Sequence, residues 1–356
     1  MIGAVDRGDT GRSHSVEAAV PWVGRGHVLD LDDFSHQELE SVFNTADRMR
    51  EILARPVPRV PSLRGRSVVN LFYEPSTRTR VSFELAAKSL GADVVNVSAS
   101  GSSVEKGETL LDTVRTLRAL GANVLVVRHK ESGAPYTIAK QMDIPVVNAG
   151  DGTHAHPTQA LLDAYTIRDH FGCIEGLRVL IVGDIAHSRV ARSDAWGLTA
   201  LGADVVFCGP PNLLPATALK DDGECMPWPV RVDFDLDHAI ENVDVVMPLR
   251  VQLERQEGNR LASLREYARD FGITRARLAR AASRAIVMHP GPMNEGVEID
   301  ADVAHGGQSV VQQQVTNGVA IRMAVLYLVV AAAAQNSNGH KTPLVPAPGL
   351  SGKVPV

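Results

Sequence analysis

The sequence predicts an α/β protein of two doubly wound parallel-sheet domains linked by helices, and three observations carry that expectation. The first is an internal echo. Leu90-Gly91-Ala92-Asp93-Val94-Val95, Leu120-Gly121-Ala122-Asn123-Val124-Leu125 and Leu201-Gly202-Ala203-Asp204-Val205-Val206 each read as a helix stopped by glycine and followed at once by an apolar strand. The second is alternation: strands expected at 67–72, 93–97, 123–127 and 145–148 are separated by helical stretches, the crossovers that parallel neighbours need. The third is a restart of the pattern at Arg178-Val179-Leu180-Ile181-Val182, continuing through 204–208 and 244–247 to 285–288. With 356 residues, each half has enough chain for its own core.

Taken in order, residues 1–27 read as a flexible extension and 28–160 as the first domain. A helix at 156–170 bridges to a second domain at 172–310. A long helix at about 315–334 returns to complete the first domain, and beyond it Pro, Gly, Ser and Asn accumulate, so 335–356 read as a disordered tail. The longest apolar run, Ala324 to Ala334, covers 11 residues, short of a membrane span, and reads as a buried helix. The N-terminus lacks the apolar stretch of a secretion signal. Cys173, Cys208 and Cys225 stand alone without a CxxC pair, which suits a reducing, cytoplasmic setting. A formal charge of −5 offers no general attraction to nucleic acid, so any anion site must be local.

Chemistry concentrates at strand-to-helix turns. Ser76-Thr77-Arg78-Thr79-Arg80 follows the first strand where a helix begins, since Phe83, Ala86, Ala87 and Leu90 recur at helical spacing. Unpaired amides at a helix start, hydroxyls and guanidinium forks suit a phosphate. The plain alternative is a capped helix with Arg80 paired to Glu84. A second cluster, Gly150-Asp151-Gly152-Thr153-His154-Ala155-His156-Pro157-Thr158-Gln159, sets His156 and Gln159 across one helical turn. Its two His and one Asp invite a metal, but the His spacing is not that of a helical zinc pair and no third ligand is obvious, so no metal is expected. A neutral His donating to a substrate oxygen is the simpler use. Arg128 ends the third strand, Arg189 follows the turn Val182-Gly183-Asp184-Ile185-Ala186-His187-Ser188, and Arg250-Val251-Gln252 follows the strand at 244–247. All three stand at carboxyl ends of strands, where α/β proteins bind ligands. Taken alone, any of them could be a solvated or ion-paired surface arginine.

Phe72-Tyr73-Glu74-Pro75-Ser76-Thr77-Arg78-Thr79-Arg80-Val81-Ser82-Phe83-Glu84 together with His156-Pro157-Thr158-Gln159 resembles the transcarbamylase family, with the likeness running from about residue 28 to 334. The resemblance implies carbamoyl phosphate as donor, a homotrimer with shared active sites, and neither metal nor organic cofactor. It implies that Ser76, Thr77, Arg78 and Thr79 hold the phosphate, and that Thr79, Arg128 and His156 donate to the carbonyl oxygen. Gln159 and the backbone around Pro290, Gly291 and Pro292 would accept from the amide. Arg189 and Arg250, assisted by Gln252, would clamp the two carboxylates of an L-aspartate acceptor, giving N-carbamoyl-L-aspartate and phosphate, the committed step of pyrimidine synthesis. From the polar loop at 100–109, Ser102 would reach the phosphate and Lys106 both substrates, in a neighbouring subunit's site. Glu105 stands beside Lys106 where some members carry a second basic residue. Regulatory chains or a dihydroorotase are companions the family allows; nucleic acid and membrane are not expected partners. The catalytic set is thus Arg78, Thr79, Lys106, Arg128 and His156. An ornithine-using member would be expected to carry Ser-Met-Gly and His-Cys-Leu-Pro motifs. This chain instead has His289-Pro290-Gly291-Pro292-Met293-Asn294-Glu295. A non-catalytic homologue would have no need of Arg78, Lys106, Arg128 and His156 together.

Overall fold

The computed structural model describes residues 25–98, 108–219, 229–251 and 263–336. Ser102, Lys106 and Gln252 lie outside the described residues. So do most of the expected extension and tail. Arg25 is described and bonds Asp33 and Glu38.

Helix α1 (His36–Leu53) opens with a capping box in which Ser35 and Glu38 satisfy each other's backbone N–H groups. The first sheet follows: β1 (Ser67–Phe72), α2 (Thr77–Ser89), β2 (Asp93–Ser98), α3 (Leu110–Ala119), β3 (Val124–His129), α4 (Ala134–Ala139) and β4 (Val146–Asp151). All strands are parallel, in the order β2-β1-β3-β4. α5 (Pro157–Phe171) leads to the second sheet, made of β5 (Arg178–Val182), α6 (Arg189–Ala200), β6 (Asp204–Cys208), β7 (Arg231–Asp233), α7 (Leu236–Ala239), β8 (Val245–Pro248), α8 (Leu264–Phe271), α9 (Arg275–Leu278) and β9 (Ile286–Val287). It too is parallel, in the order β7-β6-β5-β8-β9. α10 (Ala301–Ala304) and α11 (Val311–Asn336) complete the described chain.

Successive strand residues serve opposite faces, and both faces are covered. Val68 and Phe72 of β1, Val124 and Val126 of β3, and Val179 and Ile181 of β5 enter one core with α1, α5 and α11. Their neighbours Val69 and Leu71, Leu125 and Val127 fill a second core, and Leu180 and Val182 a third. This explains why the strands read as continuous apolar runs rather than alternating ones. α11 is long and apolar enough to cross a membrane by length and composition alone, yet most of it is buried, packed on α1, α2 and α5.

The three glycine joints close as Schellman motifs: Ala92, Ala122 and Ala203 donate back to the carbonyls of Ala87, Leu117 and Leu198, at 3.0, 3.1 and 3.0 Å. Gly91, Gly121 and Gly202 supply the left-handed residue, with φ of +79°, +100° and +83°. Two elements fall outside the sequence reading, α1 and β7; β7 is a three-residue edge strand with a polar sequence and little burial.

In each sheet the strand order reverses once, between β1 and β3 and between β5 and β8, and a crevice opens beyond the carboxyl ends there. Gly121 isolates the backbone contribution of a joint, because a Cβ there would meet nothing within 4 Å. Gly121→Ala should therefore cost about 1–2 kcal/mol through left-handed strain alone. Urea unfolding should show this as a lower midpoint at unchanged m-value; an unshifted midpoint would refute the joint's role.

Candidate active site

The two crevices face a single cavity of about 610 Å³. Ser76, Thr77, Arg78, Thr79, Arg128, His156 and Gln159 line it from the first sheet and α5. Arg189, Arg250, Gly291 and Pro292 line it from the second. Every sequence-predicted site residue that is described is therefore in one place; Ser102, Lys106 and Gln252 are not among the described residues.

At the start of α2, Ser76 occupies the N-cap position with extended backbone but makes no capping hydrogen bond, so its hydroxyl is not committed to its own helix. The pairing of Arg80 with Glu84 considered from sequence is replaced by another: Glu84 accepts from Lys88 at 2.6 Å and from Asn96 at 2.9 Å. Arg78 packs against Gly291, and its pKa is lowered by burial and by the facing charge of Arg250. Two cations aimed at each other across a crevice are an anion site by construction.

Glu74, just before Pro75, is a site residue that sequence reasoning missed. Its Oε2 lies 2.8 Å from Arg189 Nη2 and 3.3 Å from Arg128 Nη2, joining an arginine of each sheet. Arg128 also donates to the Ala149 carbonyl at 3.0 Å and Arg189 to that of Gly152 at 3.2 Å. The available signal was the placement of an acid beside an anion-binding turn, where it would repel the ligand unless arginines claimed it. Between them sits Gly150, at φ +113°, where a Cβ would fall 2.9 Å from Arg128 Nη1 and 3.0 Å from the Arg189 guanidinium carbon. Only glycine lets the two guanidinia approach this closely.

His156 precedes Pro157 at the start of α5. Its backbone N–H donates to Ser193 Oγ at 3.0 Å, and that hydroxyl donates to Asp30 at 3.0 Å. The ring is buried and its Nδ1 has no hydrogen-bond partner. Burial first, then the charges of Arg128, Arg189 and Arg322, push its pKa well below the ordinary histidine range, so the imidazole is neutral. His154 instead turns its Nδ1 to Asp151 at 3.1 Å, and the two imidazoles do not share a ligand position. Gln159 donates Nε2 to both oxygens of Asp163, at 3.0 and 3.2 Å, which leaves Oε1 as its acceptor for a ligand. A second missed residue, Arg322, lines the cavity from α11, where burial lowers its pKa to about 10; it donates to Ser82 at 2.9 Å. The cavity thus offers hydroxyls and amides at a helix start, several guanidinia, and one neutral imidazole. Such a set can hold a phosphate and carboxylates at once and direct donors at a carbonyl oxygen.

Comparison with known proteins gives two matching family profiles. They are described as aspartate/ornithine carbamoyltransferase, carbamoyl-P binding domain, over residues 26–169, and Asp/Orn binding domain, over residues 175–329. The aspartate carbamoyltransferase catalytic subunit of Roseiflexus sp. (strain RS-1) is 59% identical over 305 residues, covering 85% of this chain and 94% of that protein. The corresponding subunit of Desulfitobacterium hafniense (strain Y51) is 51% identical over 304 residues, covering 85% and 95%. Among solved structures, aspartate transcarbamoylase from Trypanosoma cruzi in complex with carbamoyl phosphate and aspartate superposes with a TM-score of 0.77 at 31% identity, covering 87% and 99%. Ornithine carbamoyltransferase from Pyrococcus furiosus superposes with a TM-score of 0.77 at 30% identity, covering 88% and 99%.

The state of His156 is open to measurement. Unfolded, its ring takes up a proton near pH 6.5; folded, it does so only at lower pH. Between those points the unfolded chain binds more protons, so this contribution to stability is complete above about pH 6.5 and is lost as pH falls. The His156 ring signal, assigned against His156→Asn, should keep neutral-imidazole NMR shifts at about pH 6. Titration at the ordinary histidine pKa would contradict the burial argument.

Proposed function

The chain belongs to the aspartate/ornithine carbamoyltransferase family, and from that premise we propose that it transfers the carbamoyl group of carbamoyl phosphate to the amino group of L-aspartate, giving N-carbamoyl-L-aspartate and phosphate. The observation that carries the reading is the single cavity in which the start of α2 faces Arg189 and Arg250 of the second sheet. Ser76, Thr77, Arg78 and Thr79 take the phosphate. Thr79, Arg128 and His156 donate to the carbonyl oxygen, where negative charge grows as the amine attacks; donors fixed beforehand stabilise that state more than the ground state. A neutral His156 keeps its N–H for this purpose without adding a charge the arginines would repel. Gln159 and the turn at 290–292 accept from the amide. The C–N bond forms, the C–O bond to phosphate breaks, and the amine's proton leaves with the departing phosphate. No covalent enzyme intermediate is required.

Arg189 and Arg250 take the acceptor's carboxylates, with Gln252 assisting. The same pair argues against ornithine, whose side-chain ammonium would face two guanidinia. The relatives at 51–59% identity are all named for aspartate. The proposal extends to a cytoplasmic role in pyrimidine synthesis and to a homotrimer in which Ser102 and Lys106 serve a neighbour's site. Val81 and Leu85 on α2 and Val95 on edge strand β2 are exposed apolar residues that suit a partner copy. Regulatory chains or a dihydroorotase remain companions compatible with this reading.

Three experiments test it. With carbamoyl phosphate saturating, product should form with L-aspartate and hardly at all with L-ornithine; the reverse preference would overturn the assignment. Arg250→Ala should raise the aspartate KM and lower kcat, since it removes a charge-assisted bond worth about 1.5–3 kcal/mol. For the shared site, Arg78→Ala and Lys106→Ala proteins should each be nearly inactive. Dissociated, mixed in equal amounts and reassembled, they should regain roughly a quarter of all sites, because about three quarters of cyclic trimers are hybrid and each restores one site in three. Activity no higher than the parents, with hybrids confirmed by mass, would refute sharing.

A further inference from the structure

Behind the cavity, α2, α5, α6 and α11 enclose buried polar side chains that the transfer step does not itself employ. Asp163 is at their centre, a fully buried carboxyl on α5. It accepts from Gln159 Nε2 at 3.0 and 3.2 Å and from Gln314 Nε2, on α11, at 2.7 Å. Gln314 in turn accepts the His289 backbone N–H at 2.9 Å through its Oε1, and His289 Nδ1 accepts the Gly291 N–H at 2.8 Å. One carboxyl therefore braces two separate parts of the cavity wall: Gln159 directly, and the turn at 289–291, which follows the second sheet, through Gln314.

The chemistry of the brace matters as much as its position. A glutamine amide can face either way, and only its neighbours decide which end is donor and which is acceptor. Both glutamines turn their NH2 groups toward the Asp163 oxygens and their carbonyls away, the orientation that an acceptor carboxylate selects. We propose that Asp163 is the positioning residue through which this site tells a carbamoyl group from an acyl group of the same shape, by holding Gln159 and the 289–291 turn with their acceptors toward the donor's amide. This rests on the carbamoyl-transfer reading above. Burial raises the pKa of the Asp163 carboxyl to about 7, against which its two glutamine donors and Arg322 on α11 favour the ionised form; the other acid near it is Asp194 on α6. Asp194 is fully buried and neither of its oxygens has a hydrogen-bond partner. Burial, then the Asp163 charge, holds its carboxyl well above the usual range, so Asp194 is the neutral member and one guanidinium balances one carboxylate.

The test compares two stable phosphonates that differ in one group: phosphonoacetamide, which carries the amide NH2, and acetonylphosphonate, which carries a methyl there. Calorimetric titration of the full-length protein should give at least about tenfold tighter binding of the amide. Asp163→Leu should collapse that ratio by weakening the amide ligand while leaving the ketone nearly unchanged. Asp163→Asn, which retains one acceptor oxygen, should recover most of it. Gln314→Leu leaves Gln159 and Asp163 in place and should lose part of the preference, and it decides the matter if Asp163→Leu does not fold. Equal weakening of both ligands would reduce Asp163 to a structural role, and an undiminished preference in the Leu variants would refute the brace. A parent that binds both ligands without preference would overturn this inference alone; one that binds neither would overturn the functional reading beneath it.

Discussion

The contact on which the site depends is the Glu74 carboxylate held between Arg128 and Arg189, one arginine from each sheet. Arg78, Arg128, Arg189, Arg250 and Arg322 all face one partly dry crevice, and without an anion among them their mutual repulsion would force the walls apart. Glu74 supplies a fixed negative charge where it spans both sheets and leaves the phosphate end to the ligand. Other features answer to the same field. Gly150 gives up its side chain so that two guanidinia can meet over its backbone, and the His156 ring, neutral chiefly because it is buried, is held so further by the charges of three arginines.

Two of the helices that open onto the cavity begin without a side-chain cap. Ser76 stands at the N-cap of α2 and His156 at that of α5, and neither bonds its own helix, although a capping bond is worth about 1 kcal/mol. Other helices are capped, α3 by Thr109 and α6 by Ser188, the latter also at the cavity. The unspent donors and acceptors therefore gather where a ligand can use them. At these two starts local stability is given up, and the surrounding α/β layers supply it.

The parallel sheets were legible because their signals are local: a glycine that only a left-handed turn needs, then an apolar run buried on both faces. α1 carried equally local signals in Ser35, Glu38 and the spacing of Leu39, Val42, Phe43 and Ala46, and could have been read. β7 could not, since Arg231-Val232-Asp233, too short to show a period, forms a strand only because β6 offers an edge. The ligand-facing arginines and His156 were legible from residue type at strand ends and from family likeness. Glu74, Asp163, Gln314 and Arg322 were less so, for a shared physical reason. Each matters through a partner far away in sequence, 115 residues in the case of Glu74 and Arg189 and 151 for Asp163 and Gln314. Arg322 left a trace, as a charge inside the apolar closing helix, where it must find polar company, and Glu74 a fainter one, as an acid beside an anion-binding turn.

The place of α11 in the chain has a consequence for how the molecule is made. The first sheet is synthesised before the second, but the helix that packs on α1, α2 and α5 follows both. Until then Phe43, Phe83 and Tyr165, all sealed in the finished core, belong to a core that still lacks Ile321, Val325 and Val329. The second sheet, contiguous from β5 to β9, shares one face with that core but also has a core of its own on the other. Vectorial synthesis thus inverts the usual order in which N-terminal units mature first. A nascent chain spends the interval with an apolar groove uncovered, and the emergence of α11 is the event that closes it.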